Sequence, residues 1–215
     1  KDTSTDPGAD WAASAHPVGG DWKSGAGGIG FESGITIPLG TVLSHPNANP
    51  SYVSTYYYER EFDLSAAQLA GLQSLKLRHG FDDGAVVYLN GTEILRVNMP
   101  TGVIDASTLA LSGGEIDNLS ADMTLPTGAL VSGSNRISVE VHQERIGSSD
   151  TVFGVELDVE FAGVNPGSGP MLSFNEVPPA TEASFWVELI NTGPAEIDLT
   201  GIVISAGNDP LSEYQ

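Results

Sequence analysis

Hydrophobic and polar residues alternate with a period of two along several short stretches of the chain. In VFGVELDVEF (152–161), Phe153, Val155, Leu157, Val159 and Phe161 oppose Gly154, Glu156, Asp158 and Glu160. In NRISVEVHQ (135–143), Ile137, Val139 and Val141 oppose Arg136, Ser138, Glu140 and His142. In LKLR (75–78), Leu75 and Leu77 oppose Lys76 and Arg78. Successive side chains of a β-strand point to opposite faces of its sheet, so each stretch predicts an antiparallel strand with one buried and one wet face. AVVYL (85–89) is apolar on both faces, which predicts a central strand covered on each side.

Only DLSAAQLAGL (63–72) has helical spacing. Asp63 or Ser65 can cap it, and Leu64, Leu69 and Leu72 share a stripe of two turns at most. Elsewhere 26 Gly and 13 Pro punctuate the pattern. The first 50 residues, rich in Gly, Pro, Ser and Asn, predict long loops that Trp11 and Trp22 pin to a core. The fold class predicted is all-β, a jelly-roll β-sandwich followed by part of a second, immunoglobulin-like β-sandwich. The boundary falls at GVNPGSGP (163–170), a linker too rich in Gly and Pro to continue a strand. The first domain is expected over 1–162. Strand patterns restart in MLSFNEV, SFWVELINTG and EIDLTGIVIS, so 171–215 reads as a second domain that is not completed.

Charge narrows the function classes. Acidic residues outnumber basic ones 28 to 8, a net charge of −20, which repels phosphate backbones and anionic membranes. Nucleic acid is therefore not an expected partner. No apolar run approaches the length of a membrane-spanning helix, so no membrane insertion is expected. Cysteine is absent, which removes disulfides and thiolate chemistry. The chain opens on Lys1-Asp2 in a polar stretch and stops at NDPLSEYQ, and it reads as a piece of a longer precursor.

FDDGAVVYLNGTEILRVNMPTG, then SNRISVEVHQ, then SSDTVFGVELDVEF, with DPGADW, DWKSGAGGIGF and STYYYEREFDL upstream, resembles the galactose-binding-like jelly-roll modules of large bacterial secreted proteins. The resemblance covers nearly all of residues 1–163. LNG and SVEVH also resemble pieces of the sugar-binding β-domain that precedes the catalytic barrel of some glycoside hydrolases. Asn175-Glu176-Val177, Trp186-Val187-Glu188-Leu189-Ile190-Asn191 and DLTGIVIS resemble the opening of a lamin-tail-like, immunoglobulin-type domain. These resemblances imply an extracellular or cell-surface protein in which other domains of the same polypeptide accompany a non-catalytic module.

The chemistry centres on HGFDDGAVVYLNG (79–91). Asp82-Asp83-Gly84 reads first as a tight turn feeding a strand, since Asp bonds its own backbone and Gly supplies positive φ. The second reading is a calcium site drawing on Asp82, Asp83 and Asp150, because hard cations take several loop oxygens. A catalytic pair is set aside: glycosidic carboxylates stand about 5 to 9.5 Å apart across a substrate, and no G-x-S-x-G or H-E-x-x-H occurs.

If strand 85–90 pairs antiparallel with 136–143, the 79–84 loop approaches the end of the second strand. His79, Asp82, Asp83, His142, Glu144, Arg145 and Asp150 then share one rim, a place where rigid sandwiches carry binding loops. Tyr52 and Tyr57 are the tyrosines expected to be exposed for sugar stacking. Tyr56, Tyr58 and Phe62 face the core, and Arg60 among them calls for a carboxylate partner. Asn90-Gly91 reads as a hairpin turn.

The expected function is binding of a polysaccharide or glycan, with calcium bracing the fold. The alternative is a structural spacer or adhesion module without a sugar site, accessory to a hydrolase or anchoring domain elsewhere. An exposed aromatic platform beside a polar rim favours the first.

Overall fold

The computed structural model describes residues 6–32, 34–43, 53–114, 116, 118–148 and 150–162, together with four short strands between 172 and 214. The chain divides into two compact units, Lys1–Phe161 and Ala162–Gln215.

In the first unit a 3-10 turn, Trp11–Ala13, precedes β1 (Ile29–Phe31), β2 (Thr41–Val42), β3 (Thr55–Leu64), α1 (Ala66–Ala70), β4 (Leu72–Asp82), β5 (Gly84–Leu89), β6 (Thr92–Val97), β7 (Met123–Leu125), β8 (Gly133–His142) and β9 (Thr151–Phe161). Two sheets form, ordered β2-β1-β9-β4-β7 and β3-β8-β5-β6. All pairings in them are antiparallel except β1 with β2. The fold class is all-β, a β-sandwich as the alternation predicted. The chain changes sheet six times, at β2 to β3, β3 to β4, β4 to β5, β6 to β7, β7 to β8 and β8 to β9.

The inner faces follow the period-two pattern. Leu75, Leu77 and Phe81 of β4 meet Tyr56, Tyr58, Val87, Val139 and Val141 from the opposite sheet, and the alternate residues Phe153, Val155, Leu157 and Val159 of β9 pack against them. Tyr58 stacks flat on Phe153, with ring centroids 3.9 Å apart. Burial of this apolar area is the main stabilising term of the unit. Phe161 closes β9 at its exposed end, outside the core.

Helix α1 is shorter than the 63–72 stretch. Ser65 caps it in a reciprocal box, Ser65 Oγ accepting from Gln68 N and Gln68 Oε1 accepting from Ser65 N. Leu64, just before the cap, is buried against the core. Asn90 and Gly91 both have positive φ, which makes the expected two-residue hairpin between β5 and β6.

Three expectations are corrected. HGFDD is strand through Asp82, not loop: His79 pairs with Val155, Phe81 with Phe153 and Asp82 with Val152. Asp83 is the single residue between β4 and β5, after a cis Asp82–Asp83 peptide. The expected polar, solvent-facing side of β8 is largely buried, because Ser138, Glu140 and His142 are covered. Arg60 is exposed and has no ion-pair partner among the described residues; it stands on edge strand β3, where its long side chain reaches water.

In the second unit, β10 (Leu172–Glu176) pairs antiparallel with β11 (Glu188–Asn191), and β12 (Ile204–Ser205) with β13 (Glu213–Tyr214). The expected linker, 163–170, lies outside the described residues.

Candidate functional site

The outer face of the four-stranded sheet carries a row of polar side chains. Register pairs Thr55 with His142, Tyr57 with Glu140, Glu59 with Ser138 and Glu61 with Arg136. On the other side of β8, β5 adds Val86 and Tyr88 opposite Glu140 and Ser138. Because alternate residues share a face, these side chains form one continuous outward row. Its two ends differ in cover.

At the His142 end the row is roofed. Trp11 lies edge-on over Tyr57 and Tyr88, with ring centroids at 4.8 and 5.7 Å. Ser138 Oγ donates to Ala12 O at 3.1 Å. A second cover is the 105–110 loop, pre-shaped by Asp105, whose carboxylate accepts from Ser107 N, Ser107 Oγ and Thr108 Oγ1. These bonds hold the Asp105 carboxyl below its usual range. The loop turns two carbonyls inward: Ala106 O accepts from Thr55 Oγ1 at 2.9 Å, and Thr108 O lies 2.7 Å from His142 Nδ1.

A carbonyl only accepts, so His142 carries its proton on Nδ1. Nε2 faces Glu140 Oε2 at 3.3 Å, without hydrogen-bond geometry. Tyr88 donates its hydroxyl to Glu140 Oε1 at 2.6 Å. Burial, and then the Glu140 carboxylate, push the Tyr57 and Tyr88 phenols well above their ordinary range, so both remain hydrogen-bond donors.

At the Arg136 end the row is open. A depression of about 190 Å3 is lined by Ala15, His16, Glu59, Glu61 and Arg136. Arg136 bridges two carboxylates, with Nη1 at 3.1 Å from Glu59 Oε2 and Nη2 paired to Glu61. Glu59 also accepts from His16 N at 3.2 Å and contacts His16 Nδ1 at 2.7 Å. The His16 ring lies flat on Trp22, with centroids 4.2 Å apart. Fixed carboxylate and guanidinium groups beside an indole can bond paired hydroxyls and cover an apolar sugar face.

The rim expected from the sequence is only partly assembled. The antiparallel pairing of β5 with β8 is as expected, and Gly84 stands opposite His142. Asp83 then meets the segment after β8: Oδ2 accepts from Glu144 N at 2.7 Å and Oδ1 from Gly114 N at 3.1 Å. Glu144 forms an ion pair with the exposed Arg145, and Asp150 accepts from Ser148 Oγ at 3.0 Å.

The other members are placed elsewhere. His79 shares the inner face with Leu77 and Phe81, stacked on the Phe81 ring at 4.4 Å, so strand alternation takes it away from Asp82. Asp82 is buried on the opposite face of β4. His142 is fully buried. Tyr57 is only 2% exposed, so the expected stacking surface is covered by Trp11, while Tyr52 lies outside the described residues. Among the described residues no group of three or more His, Asp or Glu side chains could hold a metal ion. Asp82, Asp83 and Asp150 are thus not gathered into a calcium site, and Asp83 spends its oxygens on backbone N–H groups.

Glu59, Glu61 and Arg136 were not singled out from the sequence. Alternation does place Tyr57, Glu59 and Glu61 on one face. What links them to Arg136 is the pairing of β3 with β8, across more than 70 residues of chain.

No family model matches the chain, and no curated protein matches it. Among solved structures, a Beta-D-Mannosidase from Dictyoglomus thermophilum is similar over 42% of this chain and 9% of its own, at 18% identity and a TM-score of 0.28.

Proposed function

We propose that the first unit is a non-catalytic carbohydrate-binding module of an extracellular, multidomain protein, and that it takes its ligand at the open end of the outer row. The observation that carries this is the depression in which Arg136 fixes Glu59 and Glu61 beside the His16–Trp22 stack. Ion pairing holds these polar groups in place before a ligand arrives, which reduces the ordering cost of binding. Two carboxylates against one guanidinium, on a chain of net charge −20, favour neutral sugars over uronates or sulfated glycans.

Affinity electrophoresis in gels containing neutral or anionic polysaccharides tests the proposal. Retardation by a neutral polysaccharide, lost in Glu61→Ala and Arg136→Ala, is the expected result. Equal mobility in every gel would sink the carbohydrate reading. The burial of Tyr57 favours the second reading, a spacer or adhesion module, for which equal mobility is the expected outcome.

A further inference from the structure

The cover over the His142 end is thin. Of residues 10–15 only Trp11 and Ala12 are buried. The 3-10 turn there has no side-chain cap at Asp10; its backbone bonds are Trp11 N to Gly8 O, Ala13 N to Asp10 O and Ser14 N to Trp11 O, at 3.1 to 3.3 Å, and Ser14 Oγ adds one to Asp10 O at 2.9 Å. Two described anchors tie the segment to the sheet. One is the Trp11 and Ala12 contact with Tyr57, Tyr88 and Ser138. The other is His16, held twice by Glu59 in the open depression.

What the segment covers is chemically unlike an ordinary roofed sheet face. Permanent cover costs least over apolar side chains, since every buried polar group must find partners. Here Thr55, Tyr57, Tyr88, Ser138, Glu140 and His142 lie beneath it and the adjoining loop. His142 is fully buried, yet its Nε2 makes no hydrogen bond. Two phenols, a carboxylate and hydroxyls in a row that runs on into the open depression have the composition of a sugar groove.

We infer that residues 10–16 are a displaceable strap seated in the inner half of a longer carbohydrate groove. The inference rests on the carbohydrate reading above. A sugar hydroxyl that takes Glu59 from His16 removes one anchor. The strap then lifts, Trp11 leaves the tyrosines, and Tyr57, Tyr88 and Glu140 meet the neighbouring sugar residues of the same chain. The site thus favours a polymer over a monosaccharide, because only a ligand that reaches past Glu59 replaces the contacts Trp11 gives up.

Hydrogen exchange followed by mass spectrometry on the full chain tests this, with soluble galactomannan, xyloglucan and laminarin as probes. A retained polysaccharide is expected to speed exchange of the amides at 11, 13 and 14 by about tenfold or more, while β3 and β8 become more protected. Trp11→Ala, which removes the contact of the strap with Tyr57 and Tyr88 and leaves the open depression intact, is expected to bind the same polysaccharide several-fold more tightly, with unchanged protection of β4 and β9 as the check that it is folded. Binding that leaves the strap amides as slow as before, or a Trp11→Ala variant with parental affinity, overturns the strap and leaves the carbohydrate reading standing. If neither parent nor variant is retained by any of the three, both fall together.

Discussion

His79 shows how one residue in the wrong solvent becomes a pH sensor for the fold. It sits on the inner face, stacked on Phe81, and its Nδ1 is buried without a hydrogen bond. Burial disfavours the imidazolium and lowers its pKa below the ordinary 6.5. The unfolded chain therefore binds a proton that the folded chain refuses, in the window from 6.5 down to the lowered value. Stability is held above that window and lost as pH falls through it. In urea titrations the parent is expected to lose stability as pH falls below 6.5, and His79→Leu to lose measurably less. Parallel curves for the two proteins would assign the loss to other groups.

Asn135 is the opposite case, a buried polar side chain with every bond made. Its amide donates to Val131 O and Gly133 O at 2.9 and 3.0 Å, and its oxygen accepts from Val131 N and Asn90 Nδ2, both at 2.9 Å. Asn135→Asp deletes both donations and buries a charge, so a loss of about 3 kcal/mol or more is expected in urea unfolding. Alanine at the same place removes the side chain without adding charge and is expected to cost less.

At the scale of elements, strand existence and facing were largely legible before the structure. LKLR, AVVYL, NRISVEVHQ and VFGVELDVEF fall in β4, β5, β8 and β9, and their alternating apolar residues face the core, with Phe161 outside it and Val86 and Tyr88 on the outer face of β5. What alternation cannot report is what covers the polar face. Glu140 and His142 look solvent-facing in one dimension, and only segments far away in sequence, 11–12 and 105–110, bury them. The same limit scattered the expected rim: sequence proximity put His79 beside Asp82, but in a strand three residues apart means opposite faces. It also hid Arg136 from Glu59 and Glu61, since the register of two distant strands is not written in either one.

Close approach of strands imposes a glycine rule that can be tested. At Gly30, on β1 against β9, an added methyl would collide with the Thr151 carbonyl oxygen, which is backbone and cannot swing away. Gly30→Ala is expected to cost about 2 kcal/mol or more, as overpacking does. Gly128, where no atom lies within 4 Å of an added methyl, is the control, with a change within about 0.5 kcal/mol on substitution by Ala. Equal effects at the two sites would contradict the close β1–β9 approach.

For the whole molecule the dominant electrostatic fact is the net charge of −20. Lys76–Glu160 and Arg78–Glu156 pair on the exposed outer face of the five-stranded sheet, where each contributes little. Self-repulsion among the excess carboxylates outweighs them, so screening should help the fold. Raising NaCl from about 10 to about 200 mM, which shortens the Debye length from roughly 30 to under 10 Å, is expected to raise Tm. A falling Tm would mean that the ion pairs matter more than the repulsion.

The order of strands has a consequence for how the first unit comes into being. β8 lies between β3 and β5, and β9 lies between β1 and β4, yet these two are the last strands of the unit along the chain. Neither sheet has its middle until residues 133–161 have left the ribosome. The N-terminal 130 or so residues must wait as an open chain, with β3 and β4 lacking their main partners, and folding of this unit is postponed to the end of its synthesis.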